Sequence, residues 1–274
     1  MGGALGGQTA LVTGASGGLG QAIARRLAAE GASLVVTGRR QEALDALAAD
    51  IGGTAVAADL ADPSGVDHLV RTVGAPDILV ANAGVSADGA LDSYSHDELR
   101  TAIDVNLATP MELTRAFLPA MRDRGSGHLV FISSVSGYVP TPLASVYAAT
   151  KFGLRGFAHA LREELHDSAI GVSLVSPGFI SDAGMWAATG LDLPTGLGTK
   201  TPEDVAAAVV TAIRRDRRDV VVASALQRLA IPLYALAPGL VAAIMRRGGG
   251  HAVAAQVAAA HGRPVRTSTK GGSA

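Results

Sequence analysis

Residues Thr9–Gly20, TALVTGASGGLG, set the architecture. The first five are apolar or β-branched, as in a strand buried on both faces. Gly14, Gly18 and Gly20 then follow at the spacing G-x3-G-x-G. From Gly20 to Glu30, Ile23, Leu27 and several alanines recur on one helical face. A glycine turn between strand and helix lets backbone N–H groups approach a pyrophosphate at the positive end of the helix dipole. A plain tight turn in a chain with 34 glycines is the competing reading.

The same alternation continues outward. Apolar runs at 33–37, 54–58, 77–81, 128–133, 171–176 and 219–223 read as strands. Helical patterns at 41–51, 63–73, 146–166 and 202–215 separate them, with two more helices between His96 and Arg124. Continuous apolar strands alternating with helices imply a parallel sheet covered on both faces. The expected class is α/β: a doubly wound, Rossmann-like three-layer sandwich with a mainly parallel sheet of about seven strands. One domain over 1–225 should carry site and chemistry. Within it the segment 178–200, with the only tryptophan (Trp186), has the length of a substrate loop. Residues 226–262 are expected to form an apolar helical extension, and 263–274 a disordered tail.

Composition narrows the function classes. Hydrophobic residues make up 48% and charged residues 17%, so a large core is available and global disorder is excluded. The formal net charge is -1, which argues against nucleic acid as a partner. There is no cysteine, hence no disulfide, thiolate metal site or cysteine nucleophile. No metal site is expected, because His128 and His159 lack partners at ligand spacing. Residues 1–7 do not read as a secretory signal. A cytoplasmic setting is expected, with membrane association left open. Residues 226–247 could cover the pocket, pack on a second subunit or touch a membrane surface, and Pro232, Pro238 and Gly239 argue against a span. Together with Trp186 this stretch leaves an apolar substrate open.

The second strand ends in Gly38-Arg39-Arg40, where an NAD site usually carries a carboxylate for the ribose 2′-hydroxyl. Two guanidinium groups would instead attract a 2′-phosphate, so NADP(H) is the expected cofactor. Asp59-Leu60 and Asn82-Ala83-Gly84 follow the third and fourth strands, at the sheet edge where such folds bind ligands. Each by itself is more often a turn.

Tyr147 and Lys151 lie four residues apart on one predicted helix, and so share a face. An ammonium beside a phenol favours the phenolate and would lower the tyrosine pKa. That suits proton transfer near neutral pH. Ser134 lies thirteen residues upstream of Tyr147, at a strand end, where its hydroxyl could hold a substrate oxygen. Asn106 could bend a helix or anchor a water. Taken singly, each is more often an ordinary surface or packing residue.

As an ordered set, Thr13-Gly14-x3-Gly18-x-Gly20, Asn82-Ala83-Gly84, Asn106, Ser134, Tyr147-x3-Lys151 and Pro177-Gly178 resemble the short-chain dehydrogenase/reductase family. The resemblance covers roughly residues 8 to 222. It implies an oxidoreductase in which Tyr147 is the acid/base. Lys151 lowers its pKa and binds the nicotinamide ribose, Ser134 orients the carbonyl, and Asn106 holds a relay water. It implies phosphate contacts from Gly14, Ser16, Gly17, Leu19 and Gly20, and a 2′-phosphate site at Arg39 and Arg40. Adenine contacts would come from Asp59 and Leu60, ribose contacts from Asn82, Ala83 and Gly84, and nicotinamide contacts from Pro177, Gly178, Phe179 and Ile180. Ser134, Ser136, Tyr138, Met185 and Trp186 would line the pocket for a small carbonyl or alcohol substrate. The family often pairs its long tyrosine helix, so a homodimer or homotetramer is expected. The run Phe179-Ile180-Ser181-Asp182 departs from members that carry a threonine there. The alternative is a non-catalytic NADP-binding interaction or redox-sensing module, which would keep the glycines without needing Tyr147 or Lys151.

Overall fold

The computed structural model describes residues 3–193 and 197–263; the expected tail beyond Arg263 lies outside them. Seven strands form one sheet: β1 Thr9–Thr13, β2 Ser33–Gly38, β3 Thr54–Ala57, β4 Ile78–Ala81, β5 Gly127–Ile132, β6 Ile170–Pro177 and β7 Asp219–Val222. Their order is β3-β2-β1-β4-β5-β6-β7, and every pairing is parallel. The doubly wound class is therefore observed, with a wholly parallel sheet.

Helices α1 Gly18–Ala29, α2 Gln41–Ile51, α3 Pro63–Val73, α4 His96–Ile103, α5 Thr109–Arg124, α6 Ser145–Glu164, the short α7 Gly184–Ala187 and α8 Pro202–Arg214 follow in chain order. The two-residue period of the strands feeds two separate cores. Ala10 and Val12 of β1 join Val80, Val130 and the inner faces of α1, α2 and α8. Leu11 points the other way, to Leu79, Leu129, Phe131 and the apolar stripes of α3, α5 and α6. Helix starts are set by side-chain caps: Ser95 with Glu98 for α4, and Thr201 with Asp204 for α8.

Two local features differ from the sequence expectation. α1 begins at Gly18, so its first turn is part of the glycine motif itself. The two helices expected between His96 and Arg124 are joined without a break by a π-helical turn, Asp104–Ala108. Such widened turns occur mostly at functional sites, and this one carries Asn106 inward.

The chain leaves β6 at Gly178 and returns at Lys200. The Lys200 N–H donates to the Phe179 carbonyl at 2.9 Å, and the Ser181 N–H to the Lys200 carbonyl at 2.9 Å. After β7 come α9 Ala225–Leu236, α10 Pro238–Arg247 and α11 Gly250–Ala260. α9 and α10 pack through Ile231, Leu233, Tyr234, Val241 and Met245 onto the α5/α6 side of the sheet.

Candidate active site

β1 and β4 are neighbours, but β1 connects to β2 on one side and β4 to β5 on the other. At such a switch point the loops diverge and leave a crevice at the carboxyl ends of the strands. A cleft of about 800 Å³ lies there, running from the Gly14–Gly20 turn to Tyr147 and Lys151.

The nucleotide-like end is shaped by backbone that tolerates no side chain. Gly14 has φ +66°, and a Cβ there would meet Ala83 Cα at 2.8 Å. A Cβ on Gly20 would meet the Gly14 carbonyl at 2.5 Å. Asn82 braces the turn: its Nδ2 donates to the Thr13 carbonyl at 2.8 Å. The Thr13 hydroxyl in turn accepts from the N–H groups of Asn82 (3.0 Å) and Ala83 (2.9 Å). The first turn of α1 carries no acidic residue, so its positive end faces the cleft uncompensated. Arg40 donates to the Ser16 carbonyl, and Arg39 lines the cleft beside it. Ser16, Gly17, Leu19, Asp59, Leu60, Ala83, Gly84, Pro177, Gly178 and Ile180 also line it. These residues fit an extended dinucleotide with an anionic middle.

At the other end, Ser134 stands just past β5, and α6 brings Tyr147 and Lys151 to the same wall. Lys151 is 3% exposed; its Nζ donates to the Ile132 carbonyl at 3.0 Å and lies 5.6 Å from the Tyr147 ring centroid. Asn106 is fully buried, its Oδ1 accepting from the Val85 N–H at 2.8 Å and its Nδ2 donating to the Val85 carbonyl at 3.0 Å. It thereby holds the chain just past Gly84, where a Cβ would come within 3.9 Å of Lys151 Nζ.

The electrostatics correct one expectation. Burial pushes the Tyr147 phenol up to about 12, with the Asp88 charge adding to this and a Ser134 hydrogen bond opposing it. Burial also pulls Lys151 down to about 8. The structure therefore gives a raised phenol pKa where a lowered one was expected. Burial in the close protein surroundings is the first cause of that rise, while the Lys151 ammonium is turned to the Ile132 carbonyl.

Three expected pocket or cofactor residues fall outside the cleft lining. Tyr138 turns into the core beneath α6, its hydroxyl donating to Asp219 at 2.5 Å with the Arg155 guanidinium 4.2 Å from its ring. Ser136 uses its backbone N–H to cap the Ser134 hydroxyl at 3.1 Å. Phe179 packs against Trp186 with the ring centroids 4.6 Å apart and the planes tilted by 60°, and Trp186 does line the cleft together with Met185.

The substrate side has residues that sequence reasoning missed. His261, just past α11, lines the cleft. Its Nδ1 is 3.0 Å from the Ser86 hydroxyl and 3.2 Å from Asp88 Oδ2. Arg263 then clamps the end of the extension, donating to Glu98 at 2.6 Å and lying 3.9 Å from the Tyr94 ring centroid. Because the Asp88 carboxylate raises the Tyr147 pKa, Asp88→Asn is expected to lower it. Phenolate absorbance on alkaline titration, with Tyr147→Phe as the blank, should then rise at lower pH in Asp88→Asn, and an unmoved titration would show that Asp88 does not act on the phenol.

Comparison with known proteins agrees with this geometry. A family model described as short chain dehydrogenase matches residues 8–193. The chain is 40% identical over 225 residues to "Ketoacyl reductase HetN" of Nostoc sp., covering 79% of this chain and 78% of that protein. It is 36% identical over 253 residues to "Dehydrogenase/reductase SDR family member 7B" of Bos taurus, covering 84% and 78%. A crystal structure of a metagenomic short-chain oxidoreductase in complex with NADP matches with a TM-score of 0.66 at 36% identity, over 80% of this chain and 97% of that one.

Proposed function

Because this chain belongs to the short-chain dehydrogenase family, we propose that it is an NADP(H)-dependent oxidoreductase interconverting a ketone or aldehyde and the corresponding alcohol. The observation that carries the proposal is the meeting of Ser134, Tyr147 and Lys151 on one wall of the cleft that begins at the glycine turn. A relative named as a ketoacyl reductase and a neighbour solved with NADP support the same reading.

When bound, the cofactor supplies or accepts the hydride. The protein does the rest. The α1 N-terminus and the Gly14–Gly20 backbone hold the phosphates, and Arg39 and Arg40 hold a 2′-phosphate. Asp59 and Leu60 meet the adenine, Asn82 to Gly84 its ribose, and Pro177 to Ile180 the nicotinamide side. Ser134 donates a hydrogen bond to the carbonyl oxygen and fixes its distance from Tyr147. At neutral pH a phenol pushed up to about 12 is protonated. That is the form able to donate to a developing alkoxide during reduction. Lys151 would hold positive charge behind the phenol and bind the nicotinamide ribose. Asn106, which keeps the backbone at Val85 in place, would hold the water of a proton relay. Residues 1–225 would carry cofactor and chemistry, with 178–200 as substrate loop. Assembly as a homodimer or homotetramer would use the outward face of α6, where Phe152 and Gly156 are uncovered.

The reading is tested by loss of reduced-nicotinamide absorbance with NADPH and a panel of aromatic, aliphatic and acyl ketones. Turnover of at least one class is expected. Tight NADPH binding without turnover of any would favour the non-catalytic module. For the cofactor, Arg39→Ala is expected to weaken NADPH binding by about tenfold or more and to leave NADH binding unchanged, since one charge-assisted contact contributes about 1.5–3 kcal/mol. Equal losses for both cofactors would remove Arg39 from the 2′-phosphate site.

A further inference from the structure

We propose that the outer face of α9 and α10 docks this protein onto an anionic bilayer surface. Among the described residues nine large hydrophobic side chains are exposed, and five of them — Leu226, Leu229, Leu236, Leu240 and Ile244 — lie on these two helices. Leu236 is 87% exposed and Leu229 64%. The same helices already satisfy the core through Ile231, Leu233, Tyr234, Val241 and Met245. The outer leucines are thus surplus to folding, and monomeric surfaces rarely gather such residues in one place.

Charge identifies the partner. No aspartate or glutamate follows Asp219 in the sequence, whereas Arg228, Arg246, Arg247, Arg263, Arg266 and Lys270 do. Arg263 is engaged by Glu98 and Tyr94. Arg228, Arg246 and Arg247 are exposed and take no ion pair among the described residues. Exposed apolar side chains and unpaired arginines on the same two helices match a headgroup layer, which accepts the leucines at the acyl boundary and supplies the missing negative charge. A second copy of the chain fits poorly. A two-fold contact apposes identical patches, so these arginines would face one another with no carboxylate in the segment to meet them. No helix of the described residues is long and apolar enough to cross a membrane. Docking is therefore at the surface, α9 and α10 lying in the interface.

The test is flotation of the full chain with phosphatidylcholine vesicles, with and without phosphatidylglycerol. Wild type is expected to float with the anionic vesicles at low salt, to leave them at high salt and to ignore the neutral ones. Each basic residue near an anionic surface contributes about a fivefold factor, so Arg228→Gln/Arg246→Gln/Arg247→Gln should lower partitioning roughly a hundredfold. Leu236→Glu/Leu240→Glu should also abolish flotation. Both variants should keep the wild-type thermal midpoint and solution mass. Wild type that stays in solution at low salt, or that binds neutral vesicles equally, overturns the proposal. So does a drop in solution mass on Leu236→Glu/Leu240→Glu, which would make the face a subunit interface. The arginine variant and the salt dependence decide the matter even if the leucine variant misfolds.

Discussion

Tyr147→Phe is expected to lower kcat for ketone reduction by about two to four orders of magnitude, the usual range for losing a positioned general acid. NADPH affinity should stay within a few-fold of wild type. The variant removes one hydroxyl from a ring that otherwise keeps its place between Ser134 and Lys151, so folding and the nucleotide end of the cleft are untouched. Because burial and Asp88 hold the phenol near 12, the wild-type rate should also be flat through neutral pH on account of this group. Steady-state kinetics beside direct NADPH titration separates the two effects. A Phe variant with full turnover would remove Tyr147 as the proton donor.

Lys151→Met should show the opposite signs on activity and stability. Loss of the positive charge behind the phenol is expected to cost about 10²–10³ in kcat, as for other preorganised electrostatic groups. Stability should respond to pH in a defined window. The folded lysine has its pKa lowered from 10.5 to about 8 by burial, so the unfolded chain binds more protons between those values. Wild-type stability therefore rises with pH through that window, and below it the full penalty applies, roughly 3 kcal/mol. The variant escapes that penalty but leaves the Ile132 carbonyl without its donor, which costs about 1–3 kcal/mol. The net expectation near pH 7 is a modest gain of about 1 kcal/mol, or roughly 2–4 °C in Tm. The advantage should shrink above pH 8 and reverse about one pH unit higher, at about 1.4 kcal/mol per pH unit, leaving the variant the less stable protein by pH 10.5. Tyr147 stays neutral across the window and does not confuse the reading. Urea denaturation of both proteins at several pH values checks this; a difference that does not change with pH would mean the lysine is not buried as a strained cation.

Much of this fold was legible because it rests on local signals. The apolar strand runs, the helix at Pro63 and the strand–glycine–helix junction each depend on residues within a dozen positions, and periodicity reads such stretches well. The shifts include one at an element end, Gly18, where the glycine motif and the helix overlap, and the π turn that joins α4 to α5. The direction of Tyr138 was not legible. Its neighbours in sequence suggest the pocket, but the half-buried Asp219, 81 residues away, offers its hydroxyl a carboxylate. Nor was the sign of the Tyr147 shift. Four-residue spacing on a helix predicts proximity to Lys151, whereas desolvation depends on everything that packs around both.

The sequence by itself determined the parallel sheet, the placing of ligand residues at its carboxyl edge and the ordered set Gly14–Gly20, Asn82, Asn106, Ser134, Tyr147 and Lys151, because alternation and motif spacing are properties of the chain in one dimension. The tertiary structure alone decided that Asn106 sits in a π turn holding Val85. It alone brought His261 to Asp88 from the far end of the chain, left the α9–α10 leucines uncovered and raised the Tyr147 pKa through burial. Those outcomes follow from burial and from contacts between distant segments, which no local pattern encodes.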